Sequence, residues 1–258
     1  MKRLIALAAA LAMATPVAAQ APQQQPGERI FVRAGITPAE AKASLLTLHL
    51  TLLRARVELL KDHDKIENLQ AAYGFYFDKS LWGEVADLFA DDGSFEYGQM
   101  GVYVGKAHIR KALTLLGKEG PEFGKLNNHM QLQEIIDVAP DGKTAKARFR
   151  GMVQLARAHE SGQWGDGVYE NDYVKQNGVW KIARLHFYPD GFTDYDLGWT
   201  KSAIPLAGPS AAIPPDKPPT EIYRGFPGVY IPPYHYDHPV TGKPMDIPEP
   251  ADSVLGRK

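Results

Sequence analysis

The sequence predicts an α+β protein in which helices close one side of a curled antiparallel sheet. In the first part of the chain, from about residue 38 to residue 89, apolar residues recur at spacings of three and four. That spacing is the period of amphipathic helices. From His129 onward the apolar residues alternate instead, and Asp141-Gly142 and Asn177-Gly178 separate the alternating runs. Such dipeptides form tight hairpin turns, so the strands are expected to be sequential and antiparallel.

The first 20 residues have the pattern of a signal peptide. Lys2 and Arg3 precede an apolar run that ends at Met13, and the small residues Val17-Ala18-Ala19 follow. A signal peptidase cleaves after such a pattern, and the run is too short to span a bilayer. We therefore expect an exported protein, periplasmic in a bacterium, with no membrane contact after processing. An uncleaved anchor is the alternative. Residues 21–37 are rich in Gln and Pro and predict a flexible leader.

The predicted helices begin with an extra helix over residues 38–62. Its leucines lie on two faces, as the pairs Leu46/Leu50 and Leu45/Leu48 show. A helix that is apolar on two faces must be covered by its own domain or by another subunit. We expect a homo-oligomer, a dimer or trimer, formed through this helix and the outer sheet face. Further helices are predicted at 64–77, at 81–89 with Ser80 as N-cap, and at 106–116.

The strands are predicted to complete a domain of residues 63–190, which an arm of residues 191–258 follows. Of the 20 prolines, 14 lie between Pro189 and the C-terminus, so this segment cannot form a continuous strand ladder. Its aromatic residues predict that it packs on the domain as an extended arm. The strands are expected at 93–97, 102–104, 129–138, 145–155, 168–175 and 179–188.

Composition excludes several classes of function. The formal net charge is −1, with no long basic run, which argues against nucleic acid or an anionic membrane as partner. The absence of cysteine excludes disulfides, thiolate nucleophiles and iron–sulfur clusters. An exported protein also lacks access to soluble nicotinamide, ATP or acyl-CoA, so no cofactor is expected. No metal is expected either, because the His235-Tyr236-Asp237-His238 segment lies in the proline-rich arm without supporting groups.

Sequence pieces between about residues 60 and 190 resemble the SnoaL-like group of the nuclear transport factor 2-like superfamily. They are Tyr-Gly-Phe-Tyr-Phe-Asp at 73–78, Leu-Phe-Ala-Asp-Asp at 88–92, Asn128-His129, and Asn-Gly-Val-Trp-Lys-Ile at 177–182. The group is similar to scytalone dehydratase, a hexachlorocyclohexane dehydrochlorinase, bile-acid dehydratase, ketosteroid isomerase and formaldehyde lyases acting on lignin-derived diaryl dimers. The resemblance implies a cone-shaped sheet closed by helices. The extra helix and the arm fall outside the shared domain.

Asp78 and His129 are the strongest candidates for catalysis. In the dehydratase and dehydrochlorinase branch an Asp after the first core helix orients a His at the start of the third strand, and the resemblance places Asp78 and His129 there. Asp78 also lies just past a helix C-terminus, where the macrodipole disfavours a carboxylate. A His held by a carboxylate has a fixed tautomer and suits a general base. The alternatives are that Asp78 caps the following helix and that His129 is an ordinary core or surface residue.

Supporting residues are predicted around this pair. By the resemblance, Tyr97 is a phenol that helps to bind the substrate oxygen, and we place it with the catalytic residues. Tyr103 or Lys125 is a second candidate to stabilise charge on oxygen, unless the phenol is simply core and the lysine is solvated. The predicted walls of an aromatic-lined cavity are Tyr169, Asn171 and His186.

These residues favour a cofactor-independent lyase that acts on a hydrophobic, hydroxylated aromatic small molecule. Loss of water or of a one-carbon fragment in a retro-aldol step would follow proton removal by His129. A lignin-type diaryl dimer that releases formaldehyde is the narrower expectation, by analogy alone. One alternative is a non-catalytic ligand-binding or assembly domain, although such domains usually lack the Asp/His pair. Another is an isomerase of the ketosteroid type, which would place a carboxylate base deeper in the pocket.

Overall fold

The structure is a computed structural model and describes residues 35–247. The predicted signal peptide, most of the predicted leader and the last residues of the predicted arm lie outside the described residues. The chain divides into two compact units between Leu60 and Lys61. None of the described helices is long and apolar enough to cross a membrane.

The described elements follow the predicted order, helices first and sheet afterwards. The helices are α1 (Pro38–Asp78), α2 (Trp82–Asp87) and α3 (Lys106–Leu113), and a 3₁₀ turn (Thr114–Leu116) follows α3. The strands are β1 (Phe89–Tyr97), β2 (Val102–Val104), β3 (Lys125–Val138), β4 (Thr144–Arg157), β5 (Ser161–Gln176) and β6 (Val179–Asp194).

The two predicted N-terminal helices form one helix of 41 residues, so the predicted break near residue 63 is wrong. The polar residues there do not end the helix. Asp62 is 2% exposed, so it is a buried helix residue and not a solvent-exposed residue at a helix end. Its carboxylate accepts hydrogen bonds from Lys175 Nζ at 2.6 Å and from Trp180 Nε1 at 3.0 Å. The residue that resembles a helix boundary in the sequence therefore joins α1 to β5 and β6.

The beginning of α1 belongs to the first unit and carries the leucines that the sequence places on two faces. Thr37 and Glu40 form a reciprocal capping box, with Glu40 Oε2 accepting from the Thr37 amide at 2.8 Å. Beyond this cap the apolar side chains are exposed, including Leu46 at 60% and Leu53 at 56%. This part of the helix is an uncovered apolar surface of its unit.

Ser80 does not cap α2, which corrects a second helix prediction. Leu81 occupies the N-cap position, and no side chain makes a capping hydrogen bond there. Ser80 has a φ of 52° and is 1% exposed, and its Oγ accepts a hydrogen bond from Lys125 Nζ at 3.2 Å. The alternative that Asp78 caps α2 is also excluded by this geometry.

All six strands form one curled sheet, in the order β2-β1-β6-β5-β4-β3. The strands from β3 to β6 are joined by successive antiparallel hairpins, as the Asp-Gly and Asn-Gly turns predict. β1 is added to β6 in parallel, and β2 pairs with β1 antiparallel, which the sequence did not indicate. The inner face of the sheet carries Tyr97, Phe149, Tyr169 and Phe187, and the end of α1 packs against it.

A β-bulge in β6 decides which side chains reach the inner face. Tyr173 pairs with Ile182, whereas Asp172 pairs with Arg184, so β6 contains one extra residue at this point. Because side chains alternate along a strand, the extra residue moves the side chains that follow it to the other face, up to a second register shift after Pro189. Phe187 therefore points inward and His186 points outward.

The arm packs on the outer face of the sheet, as its aromatic residues predict, and residues 195–247 contain neither helix nor strand. Tyr223 is 2% exposed and stacks on Tyr230 with ring centroids 4.2 Å apart. The Arg148 guanidinium lies 4.0 Å above the ring of Tyr234. The arm thus occupies outer-face positions that the sequence analysis assigned to contact between subunits.

Candidate functional site

Asp78 and His129 meet in the structure at the end of α1. Asp78 Oδ1 lies 3.2 Å from His129 Nδ1 and accepts the backbone N–H of His129 at 2.7 Å. The two side chains are 13% and 3% exposed, so the pair is largely out of water. With Nδ1–H donating to the carboxylate, Nε2 carries the free lone pair of the neutral ring. The arrangement holds the imidazole in one tautomer and one orientation.

Close approach of α1 to β3 makes this contact possible. A Cβ atom added at Gly74 would lie 3.0 Å from Gln131 Cγ and 3.3 Å from the carbonyl oxygen of His129. Gln131 Nε2 in turn donates to that carbonyl at 2.8 Å. The glycine lets the helix backbone reach the strand, and the glutamine fixes the strand segment that presents His129.

Aromatic side chains surround the pair on the inner face. Phe77 packs edge-on against His129, with ring centroids 4.5 Å apart. A chain of ring contacts continues from Tyr73 to Tyr169 at 6.0 Å, from Tyr169 to Phe187 at 4.5 Å, and from Phe187 to Tyr97 at 5.0 Å. The structure therefore brings the predicted residues Tyr97 and Tyr169 to the same face as His129.

Three phenols of this group are held neutral. Burial raises the pKa of Tyr73, Tyr97 and Tyr169 well above the ordinary value for tyrosine. The neighbouring Tyr169 raises the pKa of the other two further. Each hydroxyl is thus available as a hydrogen-bond donor throughout the neutral pH range.

Beside the phenols lies a buried network of amides that corrects the role predicted for Asn171. Its Nδ2 donates to Gln70 Oε1 at 3.0 Å, and its Oδ1 accepts the backbone N–H of His186 at 3.1 Å. Tyr173 also donates to Gln70 Oε1, at 2.7 Å, and Gln70 donates to Gln131 Oε1 at 2.7 Å. Asn171 is 1% exposed and both ends of its amide are engaged, so it supports the fold and not a substrate.

Lys125 is the first residue of β3, and its Nζ donates a hydrogen bond to Ser80 Oγ at 3.2 Å. Because β3 begins at Lys125, four residues before the predicted start at His129, the side chains of Lys125, Asn127 and His129 alternate onto one face of the strand. A cavity of about 200 Å³ at this end is lined by Leu116, Lys125, Asn127 and neighbouring residues. A larger cavity of about 1170 Å³ lies between the arm and the hairpin turn after β3. Neither Asp78 nor His129 lines either of these two cavities.

Two predicted binding residues lie away from the site. The hydroxyl of Tyr103 donates to the carbonyl oxygen of Ile213 in the arm at 2.9 Å, so it is not free to stabilise an oxyanion. His186 points to the outer face because of the β6 bulge. There its Nδ1 lies 3.3 Å from Glu96 Oε2, and its ring stacks on Tyr188. Burial lowers the pKa of His186 to about 3, so this histidine is neutral at pH 7.

Metal-binding geometry is found in one place among the described residues, in α1, and it includes neither Asp78 nor His129. His63, Asp64 and Glu67 offer ligand atoms within 4.8 Å of one another, with both carboxylates exposed. His235, in the arm, is instead held by a carboxylate, with Nδ1 at 2.8 Å from Glu170 Oε2.

Sequence reasoning did not assign a functional role to Tyr73 or Gln131. Both are set by tertiary packing, although each carried a signal. Tyr73 lies five residues before Asp78 in the inward stripe of the helix, and Gln131 lies two residues after His129, on the same face of β3. A search for polar side chains near Asp78 on the helix and near His129 on the strand could have identified both residues.

A curled, unclosed sheet of six strands, with a helix against its inner face and a buried Asp–His pair between them, defines a protein of the nuclear transport factor 2-like class. Within that class the chain belongs to the SnoaL-like domain family, whose profile matches residues 58–186, half of the chain. The family resemblance in the sequence is therefore confirmed.

Several solved structures are similar to the chain at low identity. A protein of unknown function from Mycobacterium tuberculosis is 23% identical over 52% of this chain and 75% of its own, with a TM-score of 0.45. A Novosphingobium aromaticivorans protein described provisionally as a scytalone dehydratase is 23% identical over 60% and 97%, with a TM-score of 0.49. A hexachlorocyclohexane dehydrochlorinase, LinA type 2, is 17% identical over 54% and 92%, with a TM-score of 0.47. No curated protein matches the chain significantly.

Proposed function

We propose that the protein is a cofactor-independent lyase that acts on a hydrophobic, hydroxylated aromatic molecule. The observation that carries the proposal is the buried contact of 3.2 Å between Asp78 Oδ1 and His129 Nδ1, which leaves Nε2 as a base. Aromatic rings around the pair favour an aromatic substrate, because apolar and planar walls bind planar rings. Membership of a family whose solved relatives include proteins named as a dehydratase and a dehydrochlorinase is consistent with elimination chemistry.

In an elimination, His129 Nε2 removes a proton from carbon, and the C–H electron pair forms a carbon–carbon double bond. The adjacent C–O bond breaks, and its oxygen leaves as water after it receives a proton. Asp78 stabilises the imidazolium that forms. Tyr97, whose raised pKa keeps it protonated, is the predicted donor to the leaving oxygen.

In a retro-aldol step the same base removes the proton of a primary hydroxyl group. The O–H electron pair forms the carbonyl of formaldehyde, the carbon–carbon bond breaks, and the remaining carbon takes up a proton. Lignin-derived diaryl compounds that carry a hydroxymethyl group are the narrower substrate class that we propose.

The test is conversion of a compound panel by the purified protein without added cofactor. Hydroxylated diaryl compounds and simple phenols are incubated with wild type, with His129→Ala, and with His49→Ala as a matched control. His49 is an exposed histidine of α1, so its replacement removes an imidazole without touching the pair. We expect mass spectrometry to show loss of water or formaldehyde with wild type and His49→Ala only. Binding without conversion across the panel would favour a non-catalytic ligand-binding domain instead.

We also propose that the protein works in the periplasm, because its first 20 residues have a basic start, an apolar run and a small-residue cleavage site. The intact mass of protein recovered from the periplasm should then lack about twenty residues. Full-length protein in the cytosol would contradict this proposal.

A further inference from the structure

Two phenol hydroxyls in the site have no hydrogen-bond partner. Tyr73 and Tyr169 are each 0% exposed, and neither hydroxyl is hydrogen bonded within residues 35–247. Buried polar groups in proteins are nearly always paired, since leaving one unpaired costs free energy. Two unpaired donors side by side therefore need an explanation.

The two hydroxyls converge on one place. The rings of Tyr73 and Tyr169 meet edge-on, with centroids 6.0 Å apart. Tyr169 raises the pKa of Tyr73, and Tyr73 lowers the pKa of Tyr169, so the two hydroxyls are close enough to affect each other. The Gln131 amide lowers the pKa of Tyr169, whereas the Asp78 carboxylate raises the pKa of both phenols. The hydroxyls thus come from different elements, α1 and β5, and lie near the catalytic pair without the geometry of a mutual hydrogen bond.

Tyr173 shows that a buried phenol in this region is otherwise paired. It lies on the same strand as Tyr169, four residues further on, and is 1% exposed. Its hydroxyl donates to Gln70 Oε1 at 2.7 Å and accepts from Asn171. The fold therefore supplies hydrogen-bond partners for the Tyr173 hydroxyl, whereas it supplies none for the hydroxyls of Tyr73 and Tyr169 among the described residues.

Gly151 leaves room for the rings of Tyr169 and Phe187. A Cβ atom there would lie 2.8 Å from Tyr169 Cε2 and 2.7 Å from Phe187 Cε2. Any larger residue would push both rings across the inner face. The absence of a side chain at this position of β4 therefore lets the Tyr169 ring lie where it does.

We infer that Tyr73 and Tyr169 bind one oxygen atom of the substrate, a phenolic or ring-carbonyl oxygen that accepts a hydrogen bond from each. The inference rests on the proposed function, since it places the substrate in the Asp78–His129 site. It adds a second requirement to that function: the substrate carries this anchoring oxygen on its ring in addition to the hydroxyl group that the reaction changes. Simple aliphatic alcohols are excluded as substrates by this requirement.

The test compares 4-ethylphenol with ethylbenzene, two unreactive probes that differ by the anchoring oxygen. Calorimetric titration gives the affinity of each probe for wild type, Tyr73→Phe, Tyr169→Phe and the surface control Tyr195→Phe, which is 60% exposed. Wild type and Tyr195→Phe should prefer 4-ethylphenol by at least about tenfold. Each site variant should lose most of that preference and keep its affinity for ethylbenzene. An unchanged preference in both site variants would overturn the inference.

Thermal denaturation gives a second readout that does not depend on a ligand. Removing an unpaired hydroxyl should leave the melting temperature of Tyr73→Phe and Tyr169→Phe unchanged or raised. Tyr173→Phe should melt lower, because Gln70 Oε1 loses the shorter of its two hydrogen bonds and keeps only the one from Asn171. A drop in both site variants equal to that of Tyr173→Phe would show that the fold itself uses their hydroxyls, and the inference would fail. Repeating the probe titration in His129→Ala separates the two proposals, because loss of turnover with retained phenol preference leaves the oxygen site intact.

Discussion

Replacing Asp78 by alanine should lower the free energy of unfolding by about 3–5 kcal/mol. Asp78 Oδ1 accepts two hydrogen bonds, from the backbone N–H of His129 at 2.7 Å and from its ring Nδ1 at 3.2 Å. Hydrogen bonds to a charged acceptor contribute about 1.5–3 kcal/mol each, and alanine removes both. Relief of the unfavourable macrodipole at the end of α1 returns only about 0.3–1 kcal/mol.

Asp78→Asn separates the structural part of this role from the chemical part. The amide oxygen still accepts both N–H groups, but as a neutral acceptor, so the expected loss of stability is about 1–2 kcal/mol. The unfavourable macrodipole alone would make Asp78→Asn as stable as wild type or more stable, and the two hydrogen bonds that Asp78 accepts reverse that sign. Turnover should fall by about 10²–10⁴-fold in Asp78→Asn, because an uncharged partner no longer stabilises the imidazolium.

Urea denaturation followed by circular dichroism at pH 7 measures these changes. Asp87→Ala is the matched control, since Asp87 is also the last residue of a helix and its side chain is 78% exposed. We expect the control to unfold within about 0.5 kcal/mol of wild type. The reasoning fails if Asp78→Ala unfolds at the same urea concentration as the control.

Three further outcomes are expected. Burial raises the pKa of Asp190 to about 6, so the folded protein binds a proton there more tightly than the unfolded chain. This contribution to stability is present below the ordinary pKa of Asp and is lost as the pH rises through 6. At pH 7 the free energy of unfolding of Asp190→Asn should therefore exceed that of wild type by about 1–2 kcal/mol. Urea titration should also show that the stability of the variant changes less with pH between about 4 and 6. Asp62→Ala should cost about 3 kcal/mol, because it leaves the Trp180 indole N–H and Lys175 without their buried acceptor, and an unchanged melting temperature would contradict this. Self-association through the apolar start of α1 should be lost in a Leu46→Lys/Leu53→Lys double variant, and light scattering that shows only a monomer of wild type at micromolar concentration would refute it.

The fold class, the hairpin order and the Asp78–His129 pair could be predicted from the sequence because each depends on local pattern or on family motifs. The continuity of α1 could not be predicted, since Asp62 lies in a polar stretch that is typical of a helix boundary and its buried partners are more than 100 residues away. The role of Tyr103 could not be predicted either, because its hydroxyl donates to the carbonyl oxygen of Ile213, more than 100 residues away in the arm.

Side-chain parity explains the error at His186. Strict alternation from Ile182 places His186 on the inner face, and one extra residue in β6 turns it outward to Glu96. A bulge has no reliable signature in a single sequence, because it is stabilised by its neighbours in the sheet. Asn171 differs in that its face was predicted correctly. Its role was not, because amide partners on α1 cannot be read from the strand.

The turnover of His129→Ala is the most direct test of the central claim that the buried pair performs proton transfer. It is measured on the compound that the wild-type protein converts, beside Asp78→Asn and the double variant. We expect His129→Ala to lose about 10²–10⁴-fold in turnover, and the double variant to be little worse than the slower single one, because the two residues act as a unit. Turnover of His129→Ala close to that of wild type would contradict the account.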